Sequence, residues 1–174
     1  VVGLLALVTG ARAQWILIAS ILLGYWGLLA AGGTFEPWIN LASRIDTALL
    51  GPMVYQFDPA TGLGHEPEGL LSTLPAIATT LLGLRAGEWL RRGELKRLAY
   101  AGCVALAMGY LWSWVFPFNK NLWTSSFVLW TAGWAMLALA TCHVLIDRRR
   151  WPPVGRAFGV NAIAAYVGSS VMVY

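Results

Sequence analysis

Five apolar runs dominate this chain: Gln14–Ala31, Leu70–Leu90, Leu98–Val115, Leu122–Ile146 and Ala157–Tyr174. Each reaches or approaches the roughly 20 apolar residues that an α-helix needs to cross hydrocarbon. Within lipid every backbone N–H and C=O must be satisfied inside its own segment, so runs of this kind are expected to be helical. Only short connections separate most of them, which makes neighbouring helices antiparallel. Of the 174 residues 58% are apolar, only 11% are charged and 10 are Trp, a balance that excludes an ordinary soluble domain. The expected fold is all-α: a polytopic integral membrane helical bundle of about five transmembrane helices plus the tail of another. A long outer loop carrying a short helix completes it. The opening "VVGLLALVTG" is too short to span a bilayer and has no charged leader, so it reads as the tail of a helix whose start lies upstream. Cys103 and Cys142 sit inside apolar runs, which argues against a disulfide framework.

Charge orients the runs. Arg12, Arg91, Arg92, Lys96, Arg97, Arg148, Arg149, Arg150 and Arg156 fall in one alternate set of connections, and only Arg44 and Lys120 in the other. A nine-to-two bias places the first set, including the Arg148–Arg150 cluster, in the cytoplasm and the Gly32–Gly69 loop outside. Glu36, Asp46, Asp58, Glu66 and Glu68 then lie on the outer side. Trp26, Trp38, Trp112, Trp114 and Trp123 mark the outer ends of the runs, and Trp15, Trp89 and Trp151 the inner ones.

Two outer segments stand out. "FPFNKNLW", Phe116 to Trp123, is a tight hairpin that Pro117 closes off from the preceding helix. Two readings stand for it: an interfacial turn in which Asn satisfies loose backbone groups, or a mouth where Asn119, Lys120 and Asn121 recognise hydroxyls and carbonyls. Gly32–Gly69 is the one long connection, and long ordered loops are usually caps or binding elements. Within it Ile39, Ala42, Ile45 and Leu49 share a helical face, giving a short helix along the outer surface. Arg44 and Asp46, adjacent on different faces of that helix, are further binding candidates.

The loop ends in "GHEPEGLLSTLPAIATTLLGLRAG". Pro67 suits a first helical turn, which puts Glu66 and Glu68 at the positive end of a helix dipole, worth roughly 0.3–1 kcal/mol each. Two carboxylates beside His65 are also what general-base chemistry on an amine or hydroxyl needs. Pro75 is expected to kink the helix. Ser72, Ala76, Thr79, Gly83 and Gly87 form a small-residue stripe fit for close helix packing. Arg85 either snorkels or meets a ligand phosphate. His143 and Cys142, neighbours on a helix, point apart, so no metal site is expected. No P-loop, dinucleotide fingerprint or nucleic-acid-binding fold is present.

"INLASRIDTALLG", "EPEGLLSTLPAIATTLLGLRAG", "NKNLWTSSFVLWTAG" and "FGVNAIAAYVG" occur in the order expected of one family. The chain resembles the transmembrane acyltransferases related to heparan-α-glucosaminide N-acetyltransferase, with bacterial relatives linked to N-acetylglucosamine metabolism. The resemblance covers nearly all of residues 1–174, read as a single transmembrane domain forming roughly the C-terminal half of a longer protein. It implies transfer of acetyl from cytosolic acetyl-CoA, as co-substrate and with no metal, to an amino sugar across a membrane such as the bacterial inner membrane. In that scheme Glu66 or Glu68 accepts the proton or holds the ammonium, and Asn119, Asn121 and Asn161 bind hydroxyls or the acyl carbonyl. Lys120 stabilises an oxyanion. Arg44 and Asp46 add acceptor contacts, and Arg85 is a weaker candidate for the cofactor. The resemblance also implies a homodimer in the lipid bilayer, and missing N-terminal helices that carry the histidine of acetyl transfer. His65 does not occupy that motif, so this stretch alone is expected to be inactive. Where the family commonly has Asp, Glu66 stands here. The competing reading from another class is a sugar permease using the same loop and amides without covalent chemistry.

Overall fold

The computed structural model describes residues 9–153 and 155–172, so the reading of the first eight residues as a helix tail falls outside it. The fold is mostly helical and divides into two units after Ala138.

In the first unit α1 (Ala11–Ala31) buries Ile18, Leu22, Tyr25 and Leu29, residues three and four apart that line one face. That face packs against α3 (Thr73–Arg91), which turns into α4 (Leu95–Trp112) through Gly93 at φ 73°. A left-handed φ at a tight helix–helix turn favours glycine. α5 begins at Ser125 and ends at Cys142. It meets α4 backbone to backbone: a Cβ on Gly109 would stand 2.7 Å from Trp130 N, and one on Gly133 2.8 Å from Gly102 O. The close-approach glycines are therefore in α4 and α5. Gly83 and Gly87 of the small-residue stripe expected in α3 face open space, because α3 turns its Ala78, Leu81, Leu82, Ala86 and Trp89 inward instead.

Two helices among the described residues are long and apolar enough to cross a membrane, α1 and the segment Ser125–Arg148. α3 and α4 have comparable length, but Arg85, Glu88 and Arg91 in one and Lys96 and Arg97 in the other make them more polar.

Between α1 and α3 the chain forms α2 (Leu41–Leu50), capped by the Asn40 side chain, which accepts from Ser43 N at 2.9 Å. An antiparallel hairpin follows that the all-α expectation did not contain: β1 (Gln56–Asp58) pairs with β2 (Leu63–His65), Phe57 opposite Gly64. Its turn is locked by Asp58, which accepts from Ala60 N at 2.9 Å and Thr61 Oγ1 at 2.7 Å, with Gly62 at φ 68°. α2 buries Ala42, Ser43 and Asp46, while Ile39 and Leu49 are exposed, so the buried face is not the apolar stripe seen in the sequence.

α3 starts later than expected. Pro67 lies in the turns before it, and no acidic residue stands in its first turn. Pro75 instead occupies that first turn, where an N–H would be unpaired anyway, and so begins the helix rather than kinking it.

The second unit contains π-helical turns over His143–Arg148, in which His143 Nδ1 and Asp147 Oδ2 lie 2.7 Å apart. The expected helix over Ala157–Tyr174 is broken into α6 (Arg156–Val160) and α7 (Ala162–Met172) at Asn161, whose carbonyl accepts from Ala165 N.

Candidate functional site

The C-terminal end of α1, α2, the hairpin, the Glu66–Ser72 turns and the Phe116–Thr124 hairpin meet at one end of the first unit. A shared core holds them: Tyr25, Leu29, Ala42, Phe116 and Leu122, with Trp26, Phe35, Leu41, Leu71 and Trp112 packed around it. The structure thus brings the acidic loop and the Asn-Lys-Asn segment together through buried neighbours distant in sequence.

Polar groups fasten this core. Tyr25 donates its hydroxyl to Leu122 O at 2.5 Å, and Ser125 donates to Leu22 O at 2.7 Å, tying α1 to the start of α5. Trp123, held at φ 50°, donates its indole N–H to Thr79 of α3 at 3.1 Å. Thr124, almost fully buried, donates to Pro117 O at 3.0 Å and accepts from Asn119 N at 3.1 Å. Ser126 donates to Phe116 O at 2.5 Å. Asn119 accepts from Asn121 N at 2.9 Å and Leu122 N at 3.1 Å, an Asx turn that shapes the hairpin. The turn reading of Asn119 therefore holds for its carbonyl oxygen, while its amide N–H₂ meets no partner among the described residues. Lys120 and Asn121 are exposed, and the Lys120 ammonium has no counter-charge among the described residues.

The carboxylates differ in freedom. Glu66 accepts from Tyr55 N at 2.8 Å through one oxygen and from Glu68 N at 3.3 Å through the other, so it braces the hairpin and its own turn. Glu68 is exposed, and its carboxylate has no partner among the described residues. Asp46 is fully buried. Its Oδ1 accepts from Leu70 N at 2.9 Å and its Oδ2 has no partner among the described residues. Burial lifts the Asp46 carboxyl above its ordinary range; the Leu70 N–H opposes the lift and the Glu66 charge adds to it. Asp46 thus faces the Leu70 N–H inside the fold rather than lying on its surface. Arg44 points outward, exposed and apart from Asp46. Arg85 lies far along α3, paired with Glu88, and Glu88 also holds Arg92 at 2.7 Å. Asn161 belongs to the second unit.

Several members of this site carry no distinguishing mark in the sequence. Ser43 Oγ lies 3.4 Å from His65 Nδ1, and both are buried. The Trp38 ring covers His65 at 6.2 Å between centroids, with Trp38 at φ 71°, a region costly for a bulky residue. Asn40 at a helix start was legible as a cap signal; the Ser43–His65 contact spans 22 residues and leaves no local trace.

Heparan-alpha-glucosaminide N-acetyltransferase of Mus musculus is 31% identical to this chain over 153 residues, which cover 75% of the chain and 23% of the relative. The protein of the same name from Homo sapiens is 30% identical over 211 aligned positions, covering 94% of the chain and 31% of the relative. The chain thus spans about a quarter to a third of the length of the curated relatives it matches. No family model matches it, and no solved structure does either.

Proposed function

From its relationship to heparan-alpha-glucosaminide N-acetyltransferase, we propose that this chain is part of a membrane acyltransferase, one that moves acetyl from cytosolic acetyl-CoA to the amine of a glucosamine-type sugar on the outer side. The observation that carries the proposal is the kinship across 94% of the chain. In this reading the chain forms part of a bundle of about five spans: α1, α3, α4 and α5, of 18 to 21 residues, come near the length a bilayer needs, and the apolar run Ala157–Tyr174 supplies the fifth. The Gly32–Gly69 loop is outside, the Arg148–Arg150 cluster is cytoplasmic, and the membrane is a bacterial inner membrane.

The chemistry assigned to the site follows from what each group has free. A sugar ammonium must lose a proton before its nitrogen attacks. Glu68, unpartnered among the described residues and exposed, is the better proton acceptor; Glu66 is spent on two backbone N–H groups and supplies negative potential that draws the ammonium in. The ammonium gives its first proton by way of Glu68 to water. The amine lone pair then forms a C–N bond to the acetyl carbonyl, and the bond that held the acetyl group (the thioester C–S bond, or the acyl bond of an acetyl-enzyme charged from acetyl-CoA) breaks. The second nitrogen proton passes to the leaving group. Lys120 and the side-chain amides of Asn119 and Asn121 offer donors to the transient oxyanion or to sugar hydroxyls. Acetyl-CoA supplies the acyl group; Arg85 is already neutralised by Glu88, which leaves it a weak candidate for a phosphate.

The test is radiolabelled acetyl transfer by the full-length protein in sealed vesicles, with acetyl-CoA on the cytoplasmic side and glucosamine on the other. Label in N-acetylglucosamine on the far side is expected. Glu68→Gln should lower kcat about 10²–10⁴-fold, the size of a lost general base. Sugar crossing unmodified with no acetyl transfer would replace this reading with the permease.

A further inference from the structure

Asp46 is a fully buried carboxyl with no cation beside it among the described residues. A buried acid without a counter-charge is costly, so its surroundings bear on what it contributes. It makes two contacts with the same short turn. Its Oδ1 accepts from Leu70 N at 2.9 Å. Its Oδ2 lies against Gly69 so closely that a Cβ there would overlap it. Gly69 has no left-handed φ, so the carboxyl of Asp46, and not the backbone conformation, is what excludes a side chain at that position. From the other side Ser72 Oγ and Thr73 Oγ1 donate to Gly69 O at 2.9 and 3.0 Å. The glycine is clamped between α2 and the head of α3, and the residue immediately before it is Glu68.

We infer that Asp46 is a positioning residue for acyl transfer: from the middle of α2 it grips the Gly69–Leu70 peptide and fills the space beside Gly69, fixing where the Glu68 carboxylate stands. This rests on the acetyltransferase reading above for its link to catalysis, though not for its geometry. Asp46 does not touch the acceptor; it acts through the turn. Asn in its place keeps the acceptor for Leu70 N–H and nearly the same volume, whereas Ala keeps neither.

The experiment compares Asp46→Asn, Asp46→Ala, Gly69→Ala and the double variant Asp46→Ala/Gly69→Ala in the full-length protein in lipid nanodiscs. Asp46→Ala and Gly69→Ala should each lower kcat roughly 10- to 100-fold, the scale of an ångström-level misplacement, with KM for acetyl-CoA unchanged. Asp46→Asn should stay within about 3-fold of the parent, since the shared carbonyl oxygen keeps the geometry. The double variant should be no worse than either single one, because the methyl added in Gly69→Ala enters space the carboxyl has left. Deuterium uptake at the Leu70 amide gives a readout independent of acetyl transfer: slow in the parent and Asp46→Asn, fast in Asp46→Ala. Additive losses in the double variant, or Asp46→Asn as damaged as Asp46→Ala, would overturn the inference. If no form transfers acetyl, the acetyltransferase reading fails alone, and the amide exchange still decides: equal uptake in all four variants and the parent removes the clamp.

Discussion

The two ends of the first unit handle charge in opposite ways. At the α3–α4 junction Glu88 holds Arg85 and Arg92, Glu94 holds Arg97 at 3.1 Å, and Arg97 lies 5.2 Å over the Trp89 ring, itself stacked 5.9 Å from Trp15. Each carboxylate there meets an arginine within about one helical turn. At the loop end the acids have no cation among the described residues; Asp46 and Glu66 are held by the N–H groups of Leu70, Tyr55 and Glu68. Carboxylates cancelled by arginine leave little field. Glu66 is held by neutral backbone donors and has no cation beside it among the described residues, so in the proposed reaction the loop end, and not the junction, is the place to draw an ammonium.

If burial carries the loop end, its core is its most sensitive point. Phe116→Ala, at a fully buried ring touching Tyr25 and Phe35, should cost about 3–5 kcal/mol in denaturant unfolding of the purified protein. A loss below that of an ordinary surface change would mean the two ends are not distinguished by burial. Thr124→Val removes a buried hydroxyl and strands Pro117 O and Asn119 N; about 1–3 kcal/mol is expected in the same measurement.

Asp46→Asn tests the charge itself. The folded pKa of Asp46 is raised above its ordinary 3.8, so the folded state binds the proton more tightly than the unfolded chain. Its contribution to stability is full below pH 3.8 and is lost as pH rises through the folded value. The Asn variant should therefore gain on the parent above that value, and the gain should vanish below about pH 4, near the unfolded carboxyl range. Glu66 and Tyr25 of α1 interact electrostatically with the group, and both are kept in the variant. A flat difference across a melting series in pH would remove the burial of charge from the comparison. The smallest effect belongs to the junction: Glu94→Gln breaks an exposed pair with Arg97 and should cost about 0.2–1 kcal/mol, falling with added salt.

The long apolar runs were legible because lipid permits only self-satisfied segments, and α1 and α3–α5 lie within them to a few residues. Asn-Lys-Asn was legible as a turn because Asn so often closes one. The inner face of α2 was not. Periodicity points to Ile39, Ala42, Ile45 and Leu49 as the packed stripe, yet Ser43 and Asp46 are inside and Leu49 is outside. Ser43 and Asp46 turn inward toward polar partners, His65 and the Leu70 N–H, that lie 22 and 24 residues away, and apolar periodicity along one helix does not register such partners. The hairpin is silent in the sequence because Gln56–Asp58 and Leu63–His65 are each three residues long and show no alternation. Pro67 and Pro75 both satisfy the local rule for a first helical turn, and only tertiary contacts choose Pro75 to open α3.

By itself the sequence determined a helical membrane protein, its kinship with the glucosaminide acetyltransferases and the acid- and amide-rich character of one end. These depend on composition and local order, which need no partner from elsewhere in the chain. Which carboxylate is free, which is braced and which is buried was decided only by the tertiary structure. That choice rests on the N–H groups of Tyr55, Glu68 and Leu70. A residue's type states what it can donate or accept, and the fold alone states what is left for it to meet.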